Sequence, residues 1–342
     1  MVYKEQVNRC FIPFYGVLLL LVQLLYIPLD VNAKDTLKIS EKVKIKNKKE
    51  LVYITTDSRI PFWEIMGRGT KHSADRLGYN LKIYSANNDK KHELEITLQA
   101  IKDKVSGIII SPTTSSSCVT ILQLAKKAGI PVVIADVGTD GGEYVSYISS
   151  NNRDGAYSIG KMLAINLIEH GWENGRVAIV AIPQKRLNGK ARTSGFMQAM
   201  DEFNIKGADL KQLKTWSEEE TYNFTKEMID KHKDLRAIWL QTSNIYNGAL
   251  RALEERVKRS DILLVTFDAE PEFLDLIPKG VIIGSAMQQP YLMGEEAVIA
   301  MDRYLNGKHV DKNIELPILA ISAKNIEQKL PIIKKTVLGL EK

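Results

Sequence analysis

The sequence predicts an α/β protein of two lobes, each built on a parallel sheet, with a cleft between them. Short runs of apolar, β-branched residues alternate along the chain with amphipathic helical stretches, as in successive βαβ units. One such run, Gly129–Asp136, ends in a carboxylate, and so does a second, Asp261–Asp268. Each follows a strand and a helix, so the same unit occurs in both halves of the chain. Because open α/β sheets bind ligands at the carboxyl ends of their strands, the two aspartates predict a shared site.

Length and composition are those of an ordinary globular protein. The chain has 342 residues, 44% hydrophobic and 26% charged, which is enough for two domains. The net charge of +6 is partly concentrated at 34–49, and no arginine-rich or aromatic-basic stripe follows. This pattern indicates surface charge, and no nucleic-acid partner is predicted.

Residues 1–33 are typical of a secretory signal peptide. Basic residues precede an apolar stretch, Phe11–Leu29, and Val31–Ala33 has the small residues that a signal peptidase needs. The alternative is an uncleaved membrane anchor, which Pro13 and Pro28 disfavour because they interrupt the apolar stretch. Both interpretations place the folded part outside the cytoplasm. Cleavage would leave Cys118 as the single cysteine, without an internal disulfide.

The first half of the mature chain alternates strands and helices. Residues 34–49 form a basic arm, either an edge strand or a flexible segment. Gly78 is a plausible stop for the first helix. The predicted order is strand 51–55, helix 62–77, strand 81–85, helix 90–104, strand 107–111, helix 115–128, strand 129–136 and strand 145–149.

The second half repeats this alternation after a turn-rich break at Asn151–Gly155, a candidate hinge. The predicted order is helix 154–170, strand 176–182, helix 190–203, a helix opened by Ser217, strand 237–241, helix 247–258, strand 261–268, a last strand at 281–288 and a last long helix at 291–305. We therefore expect one lobe at 50–150 plus 289–316 and the other at 151–288 plus 317–342.

Catalytic signatures are weak. The five histidines are scattered, without a pair at metal-ligand spacing, and Cys118 has the helical spacing of a core residue. Phosphate-binding glycine motifs and a nucleophile elbow are missing from the sequence. We expect a binding protein without a metal or cofactor, and not an enzyme.

Residues suited to binding a small polyol occur at strand ends and in loops. Charged and amide groups can bond hydroxyls, and aromatic faces can cover the C–H faces of a ring. The candidates are Asp136, Asp268, Arg192, Gln288, Phe62, Trp63 and Trp216.

Each candidate also has a structural interpretation. Phe62 and Trp63 could be core residues of the first helix, and Trp216 could pack as a hydrophobic staple before a helix cap. Arg192 could be a solvated helix residue, and Gln288 could cap its strand. The two aspartates could be helix N-caps or turn residues.

From about Glu50 onward the chain resembles the type I periplasmic binding proteins, closest to the ribose- and galactose-binding group. The resemblance rests on local motifs spread over nearly the whole mature chain. They are Ile60–Trp63, Asp75–Asn80, Gly189–Phe196 with its Arg-x-x-Gly-Phe pattern, Gly248–Leu253, the strand ends Ile134–Asp136 and Thr266–Asp268, and Met287–Pro290. The fold that this implies is two Rossmann-like lobes joined by a hinge.

The resemblance also implies a role for each candidate. Phe62 and Trp63 would stack on the ligand ring, and Trp216 would close its other face. Hydroxyl and polar contacts would come from Asp136, Arg192, Thr242, Asp268 and Gln288. The chain departs from the family pattern at Val137, where arginine is common, at Thr242, which replaces an asparagine, and at Ile60. These departures make ribose doubtful and favour another sugar or a less polar ligand.

The resemblance implies a periplasmic solute receptor that presents a sugar-like ligand to an inner-membrane ABC permease. The alternative is the sensing partner of a membrane histidine kinase, which the run Leu319–Gln328 and the basic arm suggest. An enzyme or a repressor on this scaffold is the third possibility. Repressors carry an N-terminal helix-turn-helix where this chain has an apolar segment.

Overall fold

The structure, a computed structural model, describes residues 49–256 and 261–340. The predicted signal peptide at 1–33 lies outside the described residues, as does the predicted basic arm at 34–49 apart from Lys49. Within the described residues, none of the helices combines the length and the apolar character that crossing a membrane requires.

In the described part of the chain, twelve strands form two six-stranded sheets, with helices between successive strands. The strands are β1 (Glu50–Thr55), β2 (Asn80–Ser85), β3 (Gly107–Ile110), β4 (Val132–Ala135), β5 (Ser146–Ser150), β6 (Arg176–Ala181), β7 (Lys206–Gln212), β8 (Leu235–Leu240), β9 (Leu263–Phe267), β10 (Gly284–Met287), β11 (Asn313–Leu316) and β12 (Leu319–Ser322). The helices are α1 (Pro61–Leu77), α2 (Lys90–Lys102), α3 (Ser115–Lys127), α4 (Asn152–Glu169), α5 (Leu187–Glu202), α6 (Glu218–Lys231), α7 (Tyr246–Arg256), α8 (Phe273–Leu276), α9 (Pro290–Leu305) and α10 (Ile326–Ile332), followed by a π-helical turn at Ile333–Val337.

The N-terminal sheet has the order β11-β5-β4-β3-β1-β2, and its pairs are parallel. The C-terminal sheet has the order β12-β10-β9-β8-β6-β7. Its pairs are parallel except that β12 runs antiparallel to β10. The predicted α/β class with two parallel-sheet lobes is confirmed.

Three details differ from the sequence-based expectation. The strand predicted at 281–288 is β10, which is not the last strand, because β11 and β12 follow it. Strand β7 had no prediction: it is a sheet edge without a buried face, so its sequence lacks the apolar pattern of a strand. The break at Asn151–Gly155 is mostly helical, since α4 begins at Asn152 with Asn151 as its N-cap.

Central strands are buried on both faces, which explains their continuous apolar sequence. Strands β3, β4 and β9 consist of buried residues throughout. Each sheet has hydrophobic clusters on its two sides. Between α5 and the C-terminal sheet, the rings of Phe196 and Trp239 are stacked with centroids 4.0 Å apart, and both side chains are fully buried.

The described chain passes between the two sheets three times, after β5, after β10 and between β11 and β12. The second and third crossings are tied together, because the Gln289 amide donates to the Pro317 carbonyl at 2.7 Å. The C-terminal end adds a further link: Arg68 of α1 donates to the carbonyls of Leu338 and Gly339 at 2.9 and 2.7 Å. These contacts join the lobes at the side where the chain crosses.

Helices α4 and α5 pack at a glycine, and this close approach gives a stability prediction. A Cβ on Gly195 would overlap the carbonyl of Arg153 in the neighbouring helix, whereas a Cβ on Gly207 in β7 would meet nothing within 4 Å. We expect Gly195→Ala to lower the free energy of unfolding by about 1–3 kcal/mol, because neither backbone can move freely. Gly207→Ala is the matched control and should change it by less than about 1 kcal/mol. Urea denaturation followed by circular dichroism measures both, and equal midpoints would show that the helix pair separates without cost.

Candidate functional site

A cavity of about 210 Å³ lies between the lobes, at the carboxyl ends of strands from both sheets. Helices α1 and α5, which follow β1 and β6, begin at its edge. The structure brings all eight predicted site residues to its lining: Phe62, Trp63, Asp136, Arg192, Trp216, Thr242, Asp268 and Gln288. Their roles in binding stay predictions.

Asp136 and Asp268 occupy equivalent positions, directly after β4 and β9. Both have left-handed backbones, with φ of 63° and 71°. Of the seven described non-glycine residues with positive φ, five line the cavity: Asn87, Asn88, Asp136, Trp216 and Asp268. Such conformations are unfavourable for most L-residues and concentrate at functional sites. The strand ends are therefore held in shapes that direct side chains into the cavity.

The Asp136 carboxylate is buried and incompletely bonded. Its Oδ1 has no hydrogen-bond partner among the described residues, and its Oδ2 lies 3.5 Å from the Asn188 amide nitrogen of the other lobe. Burial raises the pKa of Asp136 to about 6; Arg192 and Arg186 oppose this increase, and the negative charge of Asp268 adds to it. A hydroxyl donor placed in the cavity would satisfy the free oxygen.

Asp268 has a complete set of partners within its own lobe. The Gln288 amide donates to its Oδ1 at 2.7 Å, and Arg192 Nη1 lies 3.6 Å from its Oδ2. Burial raises the pKa of Asp268, and the nearby Arg192 opposes that increase. The Oε1 atom of Gln288 has no hydrogen-bond partner among the described residues, so it is a second buried acceptor at the cavity.

Arg192 is buried and held by hydrogen bonds, so the alternative interpretation of Arg192 as a solvated helix residue is wrong. Its Nε donates to Asn152 Oδ1 at 2.8 Å, and its Nη1 donates to the Gln241 carbonyl at 2.7 Å. The guanidinium lies 3.8 Å above the centre of the Phe267 ring, and the residue is 3% exposed. These supports hold one planar donor group at the cavity in a single orientation.

The aromatic candidates combine core and cavity positions. Phe62 and Trp63 meet edge to face with centroids 4.9 Å apart, and Trp63 is also part of the N-terminal core. Trp216 precedes Ser217, the N-cap of α6, and packs against the C-terminal core. Thr242, after β8, donates its hydroxyl to Asn244 Oδ1 at 2.7 Å.

Several lining residues were not predicted. Asn87 and Asn88 lie just beyond the end of β2, and a polar pair near a strand end is a signal that could have identified them. Asp57 and Arg59 follow β1 and pair at 2.6 Å. Arg186 and Asn188 lie upstream of the Arg-x-x-Gly-Phe motif, at the start of α5. Arg186 and Asn188 were not predicted because the residues that they contact in the other lobe lie far away along the chain.

Other residues at the site region do not suggest chemistry. Among the described residues, the structure contains no group of three or more histidine, cysteine, aspartate or glutamate side chains that could hold a metal ion. Cys118 is fully buried, and burial raises the pKa of its thiol to about 12. Val137 is also fully buried in the N-terminal core and does not line the cavity.

The burial of Asp136 predicts a pH dependence of stability in the unliganded protein. Its folded-state pKa of about 6 exceeds the ordinary value of 3.8, so the fold prefers the protonated form. The resulting stabilisation is complete below about pH 4 and is lost as the pH rises through about 6. We expect Asp136→Asn to remove this loss, which is at most about 3 kcal/mol for a shift of this size.

Urea midpoints between about pH 4 and pH 8, compared for the wild type and Asp136→Asn, test this prediction. Asp140→Asn, a change at an exposed carboxylate, is the control and should keep the wild-type profile. Parallel profiles for the wild type and Asp136→Asn would mean that water reaches the carboxylate.

Comparison with known proteins identifies the family. The family model for the periplasmic binding protein domain matches residues 51–309. The ribose import binding protein of Haemophilus influenzae is 28% identical over 292 residues, covering 84% of this chain and 95% of the relative. A D-apiose import binding protein of Actinobacillus succinogenes is 26% identical and covers 75% of this chain and 81% of that protein.

Solved structures share the fold. A carbohydrate transporter solute-binding protein from Agrobacterium radiobacter, in complex with D-arabinose, superimposes with a TM-score of 0.78 at 20% identity, over 85% of this chain and 99% of that one. An Actinobacillus succinogenes periplasmic solute-binding protein with bound D-allose gives a TM-score of 0.77 at 21% identity, over 82% and 100%. The resemblance drawn from the sequence is confirmed, and the chain belongs to the periplasmic binding protein domain family, as a type I member of the ribose-binding kind.

Proposed function

We propose that this protein captures an uncharged sugar or related polyol between its lobes and presents it to an ABC permease of the inner membrane. The observation that carries the proposal is a pair of buried acceptors without partners, Asp136 Oδ1 and Gln288 Oε1, at one cavity. A buried polar atom left without a hydrogen bond costs about 1–3 kcal/mol. A molecule with several hydroxyl groups removes both costs at once.

The balance of charge around the cavity supports an uncharged ligand. Its lining contains three carboxylates, Asp57, Asp136 and Asp268, and three guanidinium groups, Arg59, Arg186 and Arg192. The formal charges cancel, so neither an anion nor a cation gains a large electrostatic advantage. The guanidinium groups and carboxylates can still donate to and accept from neutral hydroxyls.

The aromatic residues at the cavity fit a ring that is polar at its edge and apolar on its faces. Phe62 and Trp63 approach from the N-terminal lobe and Trp216 from the C-terminal lobe. An aromatic face can cover the C–H face of a sugar while the hydroxyls reach the charged groups. This arrangement favours a small ring over an extended peptide.

The relatives favour transport over sensing. Those reported above are named import binding proteins, for ribose and for D-apiose. Members of this family bind solutes for transport in the periplasm, and the family places this chain there as well. We further propose export by a cleaved signal peptide at residues 1–33, and lobes at 50–150 plus 289–316 and at 151–288 plus 317–342.

A thermal-shift screen of the mature protein tests the ligand class. The panel is D-ribose, D-allose, D-apiose, L-arabinose and myo-inositol, with D-ribose 5-phosphate and glucosamine as charged controls. We expect at least one neutral compound to raise the melting temperature, because a ligand present at 100 times its Kd adds about 2.7 kcal/mol of stability. A response to the charged compounds alone would contradict the proposal.

The role of Arg192 is tested with the neutral compound that gives the largest shift. We expect Arg192→Ala to weaken its binding at least about tenfold, or about 1.4 kcal/mol, measured by calorimetry. Lys190→Ala, at an exposed position of the same helix, is the matched control. Because Arg192 also bonds Asn152 and Gln241, urea midpoints must show that both variants remain folded. Unchanged affinity would remove Arg192 from the binding site.

A further inference from the structure

Arg186 belongs to the C-terminal lobe, but its side chain is bonded to the N-terminal lobe. The residue is the N-cap of α5 and makes no capping hydrogen bond with its side chain. Instead, its Nη2 donates to the Thr113 carbonyl at 3.0 Å and lies 3.5 Å from Asn88 Oδ1. Thr113 and Asn88 follow β3 and β2 of the other sheet. The guanidinium therefore spans the cleft.

The acceptor side of this contact is rigid. Glu93, which is fully buried in α2, accepts from the Thr113 backbone nitrogen at 2.6 Å and from its hydroxyl at 3.2 Å. Burial raises the pKa of Glu93, and the charge of Arg186 opposes that increase. The N-terminal lobe thus holds the Thr113 carbonyl in place beside the buried carboxyl group of Glu93. The positive charge of Arg186 favours the ionised form of that group.

The C-terminal side of the contact is an aromatic platform. The guanidinium carbon of Arg186 lies 5.1 Å from the centre of the Trp216 ring, and the residue is 7% exposed. Burial lowers the pKa of Arg186, and the charge of Asp136 is the largest opposing influence. An arginine remains charged even so. The contacts of this cation with the opposite lobe exist only while the lobes are together, and they offset part of the cost of burying it.

Arg186 differs in this respect from the other two arginines of the cavity. Arg59 pairs with Asp57 of its own loop, and Arg192 bonds groups of its own lobe. Position 137, where the resemblance implies an arginine beside Asp136, holds a valine packed in the core. The charges of Arg192 and Arg186 both act on Asp136 from the opposite lobe, but of the two only Arg186 is also hydrogen-bonded to that lobe among the described residues.

We propose that Arg186 determines the affinity of the sugar site by joining the two lobes across the bound ligand. It supplies a guanidinium beside Asp136 that is present only when the cleft is closed. The inference deepens the proposed function and rests on it for the identity of the ligand. A ligand shifts a conformational equilibrium only by its differential affinity for the two states. The hydrogen bond to Thr113 forms only in the closed state, so it raises the population of that state and lowers the apparent Kd of a ligand that binds it.

Closure can be measured without any ligand. Lys90 and Lys214 are exposed and line the same groove outside Arg186, one on each lobe, whereas the natural Cys118 is buried. In a Lys90→Cys and Lys214→Cys background, the initial rate of cross-linking by a short bismaleimide reports the closed population. We expect Arg186→Ala to lower this rate at least about threefold and Lys190→Ala to leave it unchanged. Arg186→Lys should be intermediate, because lysine keeps the charge but not the planar donor group.

Binding kinetics supply the second measurement. Stopped-flow tryptophan fluorescence with D-ribose and D-allose as probes gives association and dissociation rate constants. For a probe that binds the wild type, we expect Arg186→Ala to raise the dissociation rate constant about tenfold, or about 1.4 kcal/mol, with a much smaller change in association. Urea midpoints check that each variant is folded.

The outcomes separate the two claims. Equal cross-linking rates for Arg186→Ala and Lys190→Ala would overturn the role of Arg186, even where both sugars bind. A reduced rate with no binding of either sugar would support that role and count against the proposed ligand class. A dissociation rate constant unaffected by Arg186→Ala would also overturn the inference.

Discussion

Two buried carboxylates facing one cavity are the constraint on which this site depends. Asp136 and Asp268 end equivalent strands of the two sheets, and each is at most 7% exposed. Carboxylates out of water are costly unless donors reach them, and each raises the energy of the other's charge. The arginines, asparagines and glutamine around the cavity can be understood as the donors that this pair requires.

The donors are distributed unequally between the lobes. Asp268 receives Gln288 and lies near Arg192, and Arg192 is itself held by Asn152 and Gln241. Among the described residues, the Asp136 carboxylate receives only a long contact from Asn188, which comes from the opposite lobe. The Asp268 carboxylate therefore has donors nearby before ligand arrives, although Gln288 Oε1 beside it has no partner among the described residues, whereas the Asp136 carboxylate requires either the ligand or the other lobe. This asymmetry gives closure a thermodynamic reason.

Features set by local sequence were predictable. The strand that ends at Asp136 has a short apolar run, a bounding proline and a terminal charge, all within eight residues. The helix N-cap at Ser217 is equally local, because its hydroxyl accepts from Glu220 three residues on. Repetition of the strand–aspartate unit was enough to predict that two lobes face each other, although not how their side chains meet.

Features that depend on contacts between distant residues were not predictable. Strand β7 is stabilised by pairing with β6 at the sheet edge and needs no apolar periodicity of its own. Arg186 looks like any basic residue before a helix, and its acceptor, Thr113, is 73 residues away. The departure at Val137 was visible, but no local pattern indicated that the charge of Arg186 acts on Asp136 from the other lobe.

The position of a guanidinium changes the energetics of closure even where the fold stays the same. An arginine at position 137 would belong to the same lobe as Asp136, so it would contribute similarly to ligand binding in the open and closed states. The charge of Arg186 acts on Asp136 from the opposite lobe, and its hydrogen bond to Thr113 breaks when the lobes separate. The same charge therefore adds to the difference between the two states and not to both equally.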